Sequence, residues 1–223
     1  MTIPNYEQML EDFYAAFLRD GDRCIDVGAH IGRHSIPMAH CVAPSGKVYA
    51  FEPLPSIFNQ LKTTVDEMGL SSTVSTRQCA LSDVGGEADF VLVHEAPEYS
   101  GLRPRHYDMQ VTTETIRVQT SRLDDLFETK ARAIRYIKID CEGGELRVLR
   151  GASDLLRRDR PVVSFECGDG SLEAYDYDSG EIYDFFAARD YNIRSITQLP
   201  LDRAAFIVAA ARQEYWDYLA LPR

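Results

Sequence analysis

A doubly wound α/β fold with a seven-stranded, mostly parallel sheet follows from three observations. Short apolar runs alternate with helical patterns along the chain, the signature of strands covered by helices on both faces. The run Cys24-Ile25-Asp26-Val27 empties into a turn, Gly28-Ala29-His30-Ile31-Gly32, as a buried parallel strand does where it meets a ligand crevice. A second run, Val48-Tyr49-Ala50-Phe51, ends in Glu52-Pro53. An acid at the end of the second strand of a βαβ unit is placed to accept two hydrogen bonds from a ribose diol.

The elements can be justified in order. Residues 5–19 set Tyr6, Met9, Leu10, Phe13, Phe17 and Leu18 on one helical stripe, which predicts an amphipathic helix covering the crevice. Strand 23–27, helix 33–41, strand 48–51 and helix 56–68 then alternate. Strand patterns recur at 74–79, 135–139, 161–165 and 191–196, with a closing strand expected at 204–210. The last two, separated by residues 197–202, are expected to form an antiparallel C-terminal hairpin at the sheet edge. Between 85 and 120 the pattern changes: 88–94 and 115–120 alternate like two strands around Pro97, Gly101 and Pro104, which predicts an inserted β-hairpin or lid. Its centre, 94–108, carries Tyr99, Arg103, Arg105, His106 and Tyr107, a composition suited to gripping a polar ligand, or else to an exposed loop. The expectation is one domain over 1–223, with a helical cover at 1–20 and the inserted hairpin at 85–120.

Composition narrows the classes. With 223 residues, 45% hydrophobic and 26% charged, the chain suits one globular domain, and no apolar run approaches the roughly 20 residues that span a bilayer. The start, Met1 to Glu7, lacks a basic region followed by an apolar stretch, so a cytoplasmic location without membrane contact is expected. Five cysteines without CxxC spacing read as reduced thiols. A net charge of −11 argues against nucleic-acid partners and leaves a small molecule, with a homo-oligomer compatible.

The glycine spacing is GxxxG, and no Lys-Ser/Thr pair or extra glycine is present to cradle a pyrophosphate. Asp26 is expected to brace the turn or meet an ammonium group. The second informative run is Tyr136-Ile137-Lys138-Ile139-Asp140-Cys141-Glu142-Gly143-Gly144-Glu145, a strand that empties into carboxylates at the crevice. Asp140, Glu142 and Glu166 lie at adjacent strand ends, and clustering raises the pKa of at least one toward that of a useful base. The same oxygens could hold Mg²⁺, the less favoured reading. Glu166 could instead pair with Lys138, and Glu145 suits a helix amino terminus. His30 and His34, four apart, could share a helix face as metal ligands do, but no third ligand is near. The acidic-aromatic stretch 169–178, just past Glu166, is expected at the mouth of the site, where it would favour an uncharged or cationic ligand.

The segments Cys24 to Gly32, Phe51-Glu52-Pro53, Ala80-Leu81-Ser82-Asp83, Arg122-Leu123-Asp124-Asp125-Leu126, Lys138 to Glu145 and Val163-Ser164-Phe165-Glu166 together resemble the FkbM family of class I S-adenosylmethionine-dependent methyltransferases. The resemblance implies a Rossmann-like methyltransferase sheet and O-methylation of a hydroxyl on a small metabolite, sugar or natural-product intermediate. It implies S-adenosylmethionine held by Asp26, Gly28, Ala29, His30, Gly32, Glu52, Pro53, Ala80, Leu81, Ser82 and Asp140. Asp140, Glu142 and Glu166 are then the catalytic candidates, with His34, His106 and Tyr107 on the acceptor side. An NAD-dependent oxidoreductase and a non-catalytic cofactor-binding protein are the alternatives.

Overall fold

A computed structural model describes residues 5–105, 107, 110–127 and 133–223 of the chain. The elements run α1 (Tyr6–Phe17), β1 (Arg23–Val27), α2 (Ser35–Val42), β2 (Lys47–Phe51), α3 (Pro55–Glu67), β3 (Val74–Arg77), β4 (Ala80–Leu81), β5 (Gly86–Val93), β6 (Thr113–Ser121), α4 (Leu123–Leu126) and β7 (Tyr136–Ile139). They continue with α5 (Glu145–Arg150), α6 (Ser153–Asp159), β8 (Val162–Glu166), α7 (Asp169–Leu172), α8 (Ser179–Ala187), β9 (Tyr191–Ser195), α9 (Arg203–Ala211) and β10 (Asp217–Pro222).

Seven strands form the main sheet in the order β3-β2-β1-β7-β8-β10-β9. All neighbours from β3 to β8 are parallel, and β10 is antiparallel to both β8 and β9. Strand alternation gives the sheet two buried faces. Ile25 and Val27 face a core built with Leu149, Leu155, Phe186 and Phe206, while Cys24 faces one built with Leu10, Tyr14, Met38 and Leu61. The strand order reverses between β1 and β7, and a crevice opens there at the carboxyl ends of the strands.

The closing segment departs from expectation. Residues 204–210 are helical, within α9, and the last strand is β10. A short apolar run cannot be told from a strand by composition alone. Here alanine-rich sequence, burial of Phe206, Ala209 and Ala210 on one face, and an Asp202 side chain accepting from the Ala205 N–H at 2.9 Å favour the helix. β9 and β10 are therefore antiparallel neighbours joined through a helix, not a hairpin.

The 85–120 region forms an antiparallel ribbon, β5 against β6, with β4 on the other side of β6. Its inner side chains, Phe90 and Val118, pack with Leu54, Ile57 and Ala80 as a small third core. α1 buries Leu10 and Tyr14, and Leu18 just beyond it, and so covers one end of the crevice. No helix among the described residues is long and apolar enough to cross a membrane.

Candidate functional site

The first wall of the crevice is the turn after β1. Gly28 adopts φ +75°, and a Cβ there would drive into the carbonyl oxygen of Asp140. Only glycine allows the turn to lie so close to the end of β7. The turn is stitched to β2 by the N–H groups of Gly28 and Ala29, which donate to the Phe51 carbonyl at 3.1 and 2.9 Å.

Glu52 completes the wall. One carboxylate oxygen accepts from the His30 N–H at 3.0 Å, the other from the Leu54 N–H at 2.9 Å. Each oxygen keeps a lone pair, and the side chain lines the cavity. Burial pushes its pKa up to about 7, against those two hydrogen bonds. His30 is at φ +48°. Because α2 begins at Ser35, His30 and His34 share no helix face, and the two-histidine arrangement does not form. His34 instead hydrogen-bonds Glu7 at 2.7 Å and Tyr14 at 3.2 Å, tying α1 to the cavity edge.

Beneath the turn, Asp26 is fully buried and accepts from the Ser35 hydroxyl at 2.6 Å. Strand period 2 puts Lys138 and Asp140 on one face of β7, and register sets Asp26 opposite Lys138. Lys138 accordingly pairs with Asp140 at 3.0 Å and lies 3.8 Å from Asp26. The alternative Lys138–Glu166 pair does not form, since Ser164 holds the position across from Lys138. Burial alone would push the Lys138 ammonium down, but Asp140 and Asp26 hold it up.

The floor carries the carboxylate cluster. Oxygens of Asp140, Glu142 and Glu166 lie within 4.8 Å of one another, a set that a hard divalent cation could share. The three groups are not equivalent. Burial opposes ionisation of Asp140, yet Lys138 holds it below the usual carboxylate range, helped by a hydrogen bond from Glu166. Glu166 is pushed well up by burial and by the charge of Asp140. Glu142, at φ +56°, is pushed up to about 8 by burial and Asp140 despite an ion pair with Arg105. Glu145 opens α5 and folds back to accept from the N–H groups of Cys141 and Gly143 at 3.0 and 3.3 Å, so it braces the loop.

These groups line a cavity of about 500 Å³, within the range typical of small-molecule sites. Gly28, His30, His34, Glu52, Pro53, Ala80, Leu81, Asp140, Glu142 and Glu166 all reach its surface. Asp26, Ala29, Gly32, Ser82 and Tyr107 do not: Asp26 is beneath the turn, the Ser82 hydroxyl turns to Asp83 at 3.1 Å, and the Tyr107 hydroxyl is buried. His106 lies outside the described residues. No residue of 169–178 lines the cavity. That stretch packs behind the Gly143 turn, where the Tyr177 hydroxyl hydrogen-bonds the Gly143 carbonyl, so it gives no ground for preferring an uncharged or cationic ligand.

Tyr99 and Arg105, from the 94–108 stretch, also line the cavity, as do Asp217, Gln213, Trp216 and Glu7, for which the sequence carries no such signal. Asp217 sits across from Glu166 in the β10–β8 register, and burial pushes it up to about 7. Misplacing the last strand hid it. Arg105 had a signal, its place among aromatic residues at the ribbon's tip.

A 3-2-1-7-8-10-9 sheet with an inserted antiparallel strand, a glycine turn at the first strand and acids at the ends of the second and fourth parallel strands of the sheet is a Rossmann-like methyltransferase fold. The chain belongs to the FkbM family of S-adenosylmethionine-dependent methyltransferases: the Methyltransferase FkbM domain matches residues 26–193. It is 32% identical over 163 residues to the 31-O-demethyl-FK506 methyltransferase FkbM of Streptomyces tacrolimicus, covering 61% of this chain and 62% of that one. It is 30% identical over 135 residues to the hexuronic acid methyltransferase AglP of Haloferax volcanii, covering 59% and 50%. The crystal structure of a methyltransferase FkbM from Methylobacillus flagellatus KT superposes with a TM-score of 0.60 at 18% identity, over 97% of this chain and 48% of that one. The chain thus spans about half to three fifths of the length of these relatives.

Proposed function

We propose that this chain transfers a methyl group from S-adenosylmethionine to a hydroxyl of a small polar acceptor. The observation that carries the reading is that one cavity joins Glu52, at the end of β2, to the carboxylates ending β7 and β8, with the glycine turn between them. The residues fit the cofactor: Glu52 keeps a free lone pair on each oxygen for a ribose diol, and Leu54, Ala80, Leu81 and Phe90 give an apolar wall for a flat base. When bound, the cofactor supplies an electrophilic methyl on a sulfonium.

The chain's share is positioning and removal of a proton. Asp140, held ionised by Lys138, supplies fixed negative charge. Glu166 stays protonated and donates to it. Glu142 is the base: its raised proton affinity suits a hydroxyl proton better than the depressed Asp140 does, and Arg105 steadies the carboxylate. Lys138 pairs with Asp140 and Arg105 with Glu142, so the reading assigns the cluster no divalent cation.

The test is a screen of hydroxylated acceptors with methyl-labelled cofactor, followed by variants on the acceptor found. Glu142→Gln is expected to lower kcat by roughly 10²-fold or more. Near wild-type turnover in Glu142→Gln would sink the base assignment. Chelation is expected to leave turnover unchanged, and loss restored by Mg²⁺ would move the cluster to a metal role.

A further inference from the structure

Asp26, in β1, is wholly buried, and its two oxygens fare differently. Oδ2 accepts from the Ser35 hydroxyl at 2.6 Å, while Oδ1 makes no hydrogen bond among the described residues. A buried carboxylate oxygen in that condition carries an uncompensated desolvation cost and calls for a physical reason. Ser35 opens α2, so the carboxylate is pinned at one oxygen and presents the other to Lys138.

The Lys138 ammonium lies 3.8 Å from that oxygen. It donates instead to Asp140 at 3.0 Å, so the two separations differ by only 0.8 Å. A water bonded to both Nζ and Oδ1 would hold them about 4.4 Å apart, so none fits between them. Register produces the arrangement: Asp26 lies across from Lys138 in the β1–β7 pair, and strand alternation puts Asp140 on the same face as Lys138. One ammonium therefore stands between two carboxylates, one sealed in the sheet and the other at the cavity surface. Lysine suits such a place. Its charge is compact, and small torsions of its flexible stem re-aim three N–H groups, where the planar fork of arginine would hold to one partner.

Asp140 is the carboxylate of the cluster that stays ionised, so it is the one a bound cation meets. A second positive centre there competes with the ammonium for the same oxygens, and at a few ångströms inside a protein that repulsion is strong. Retreat of Lys138 to Asp26 relieves it. The bare oxygen then gains its hydrogen bond, and both acids stay compensated. The sulfonium of S-adenosylmethionine is such a positive centre, and the thioether of S-adenosylhomocysteine is not.

We propose that Lys138 and Asp26 are positioning residues: a cation bound against Asp140 sends the Lys138 ammonium to Asp26, and this second seat lets the pocket favour the charged methyl donor over its uncharged thioether product. The proposal rests on the methyl-transfer reading.

The test is calorimetry on the full chain and on Asp26→Asn with two ligands, S-adenosylhomocysteine and sinefungin, an analogue with an amine-bearing carbon in place of the sulfonium. Asparagine keeps an acceptor for Ser35 and removes only the reserve charge. The preference for sinefungin over S-adenosylhomocysteine is expected to fall about tenfold in Asp26→Asn, through weaker sinefungin binding. A brace of the glycine turn would weaken both ligands alike, so a preference unchanged in the variant would overturn the proposal. Crystal structures of the wild-type chain with each ligand give a readout that does not depend on the variant folding. Lys138 Nζ is expected about 3 Å from Asp26 Oδ1 with sinefungin and on Asp140 with S-adenosylhomocysteine, and the same position in both would overturn the proposal. Failure of both ligands to bind the wild-type chain would overturn the methyl-transfer reading and this proposal with it, whereas binding of both with an unchanged preference strikes this proposal alone.

Discussion

Glu52 holds the turn together and presents the same two oxygens to the cavity. Its hydrogen bonds to the His30 and Leu54 N–H groups shape the turn, and the remaining lone pairs are the ones the proposed function assigns to the ribose diol. Glu52→Ala removes both acceptors and leaves two N–H groups without partners, a cost of about 1–3 kcal/mol each if they stay buried. Glu52→Gln keeps one acceptor and is the cleaner probe: a loss of S-adenosylhomocysteine affinity of about tenfold or more is expected, with a smaller shift in Tm. Lys138 is the other residue on which much rests. Lys138→Met leaves the buried Asp26 and the half-buried Asp140 without their cation, and a stability loss of about 3 kcal/mol, the low end for a buried pair because solvent reaches Asp140, is expected in urea unfolding. A loss under about 1 kcal/mol would mean that the acids simply take up protons. At this scale much of the site was legible, because Gly28, Glu52 and Asp140 each stand where a strand ends and the chemistry of a strand end is local. The partner of Lys138 was left open by the sequence because it depends on which residues share a face: Asp140, two positions on, pairs with it rather than Glu166 on the next strand.

Elements show where local pattern fails. β1, β2, β7 and β8 are apolar, short and bounded by turn residues, so their places follow from the sequence alone. α9 and a strand of similar length differ only in which neighbours they bury, and that is tertiary information. β10 was hidden further by Pro222, which suits the last residue of a strand but not its middle. The Arg122-Leu123-Asp124-Asp125-Leu126 motif also acquires a physical role. Asp124 is buried, and one oxygen accepts from the N–H groups of Asp154 and Leu155 at 3.1 and 2.9 Å, so α4 caps the start of α6. Asp124→Ala is expected to cost about 1–2 kcal/mol, with Asp124→Asn recovering most of it, as measured by thermal unfolding.

For the whole molecule, the buried acids set a pH dependence. Glu52, Glu145 and Asp217 are raised to about 7 and Glu142 to about 8, from ordinary values near 4. Between those limits the folded state binds more protons than the unfolded one, so stability falls as pH rises from about 4 through 8. Asp140, depressed, acts in the opposite sense and only at lower pH. The urea midpoint is expected to be lower at pH 8.5 than at pH 6, and a midpoint that is flat or rises over that interval would show that these acids are ionised in the fold. Such a cluster of reluctant acids at the ends of four strands is a stability cost that a packed core has no reason to carry, which is the molecular-scale argument for a site.

The most direct measurement is calorimetric titration of S-adenosylhomocysteine into the folded chain and into Glu52→Gln. One site per chain, weakened in the variant while Tm changes little, is what the account predicts. Absence of binding to a wild-type sample that unfolds cooperatively would contradict it.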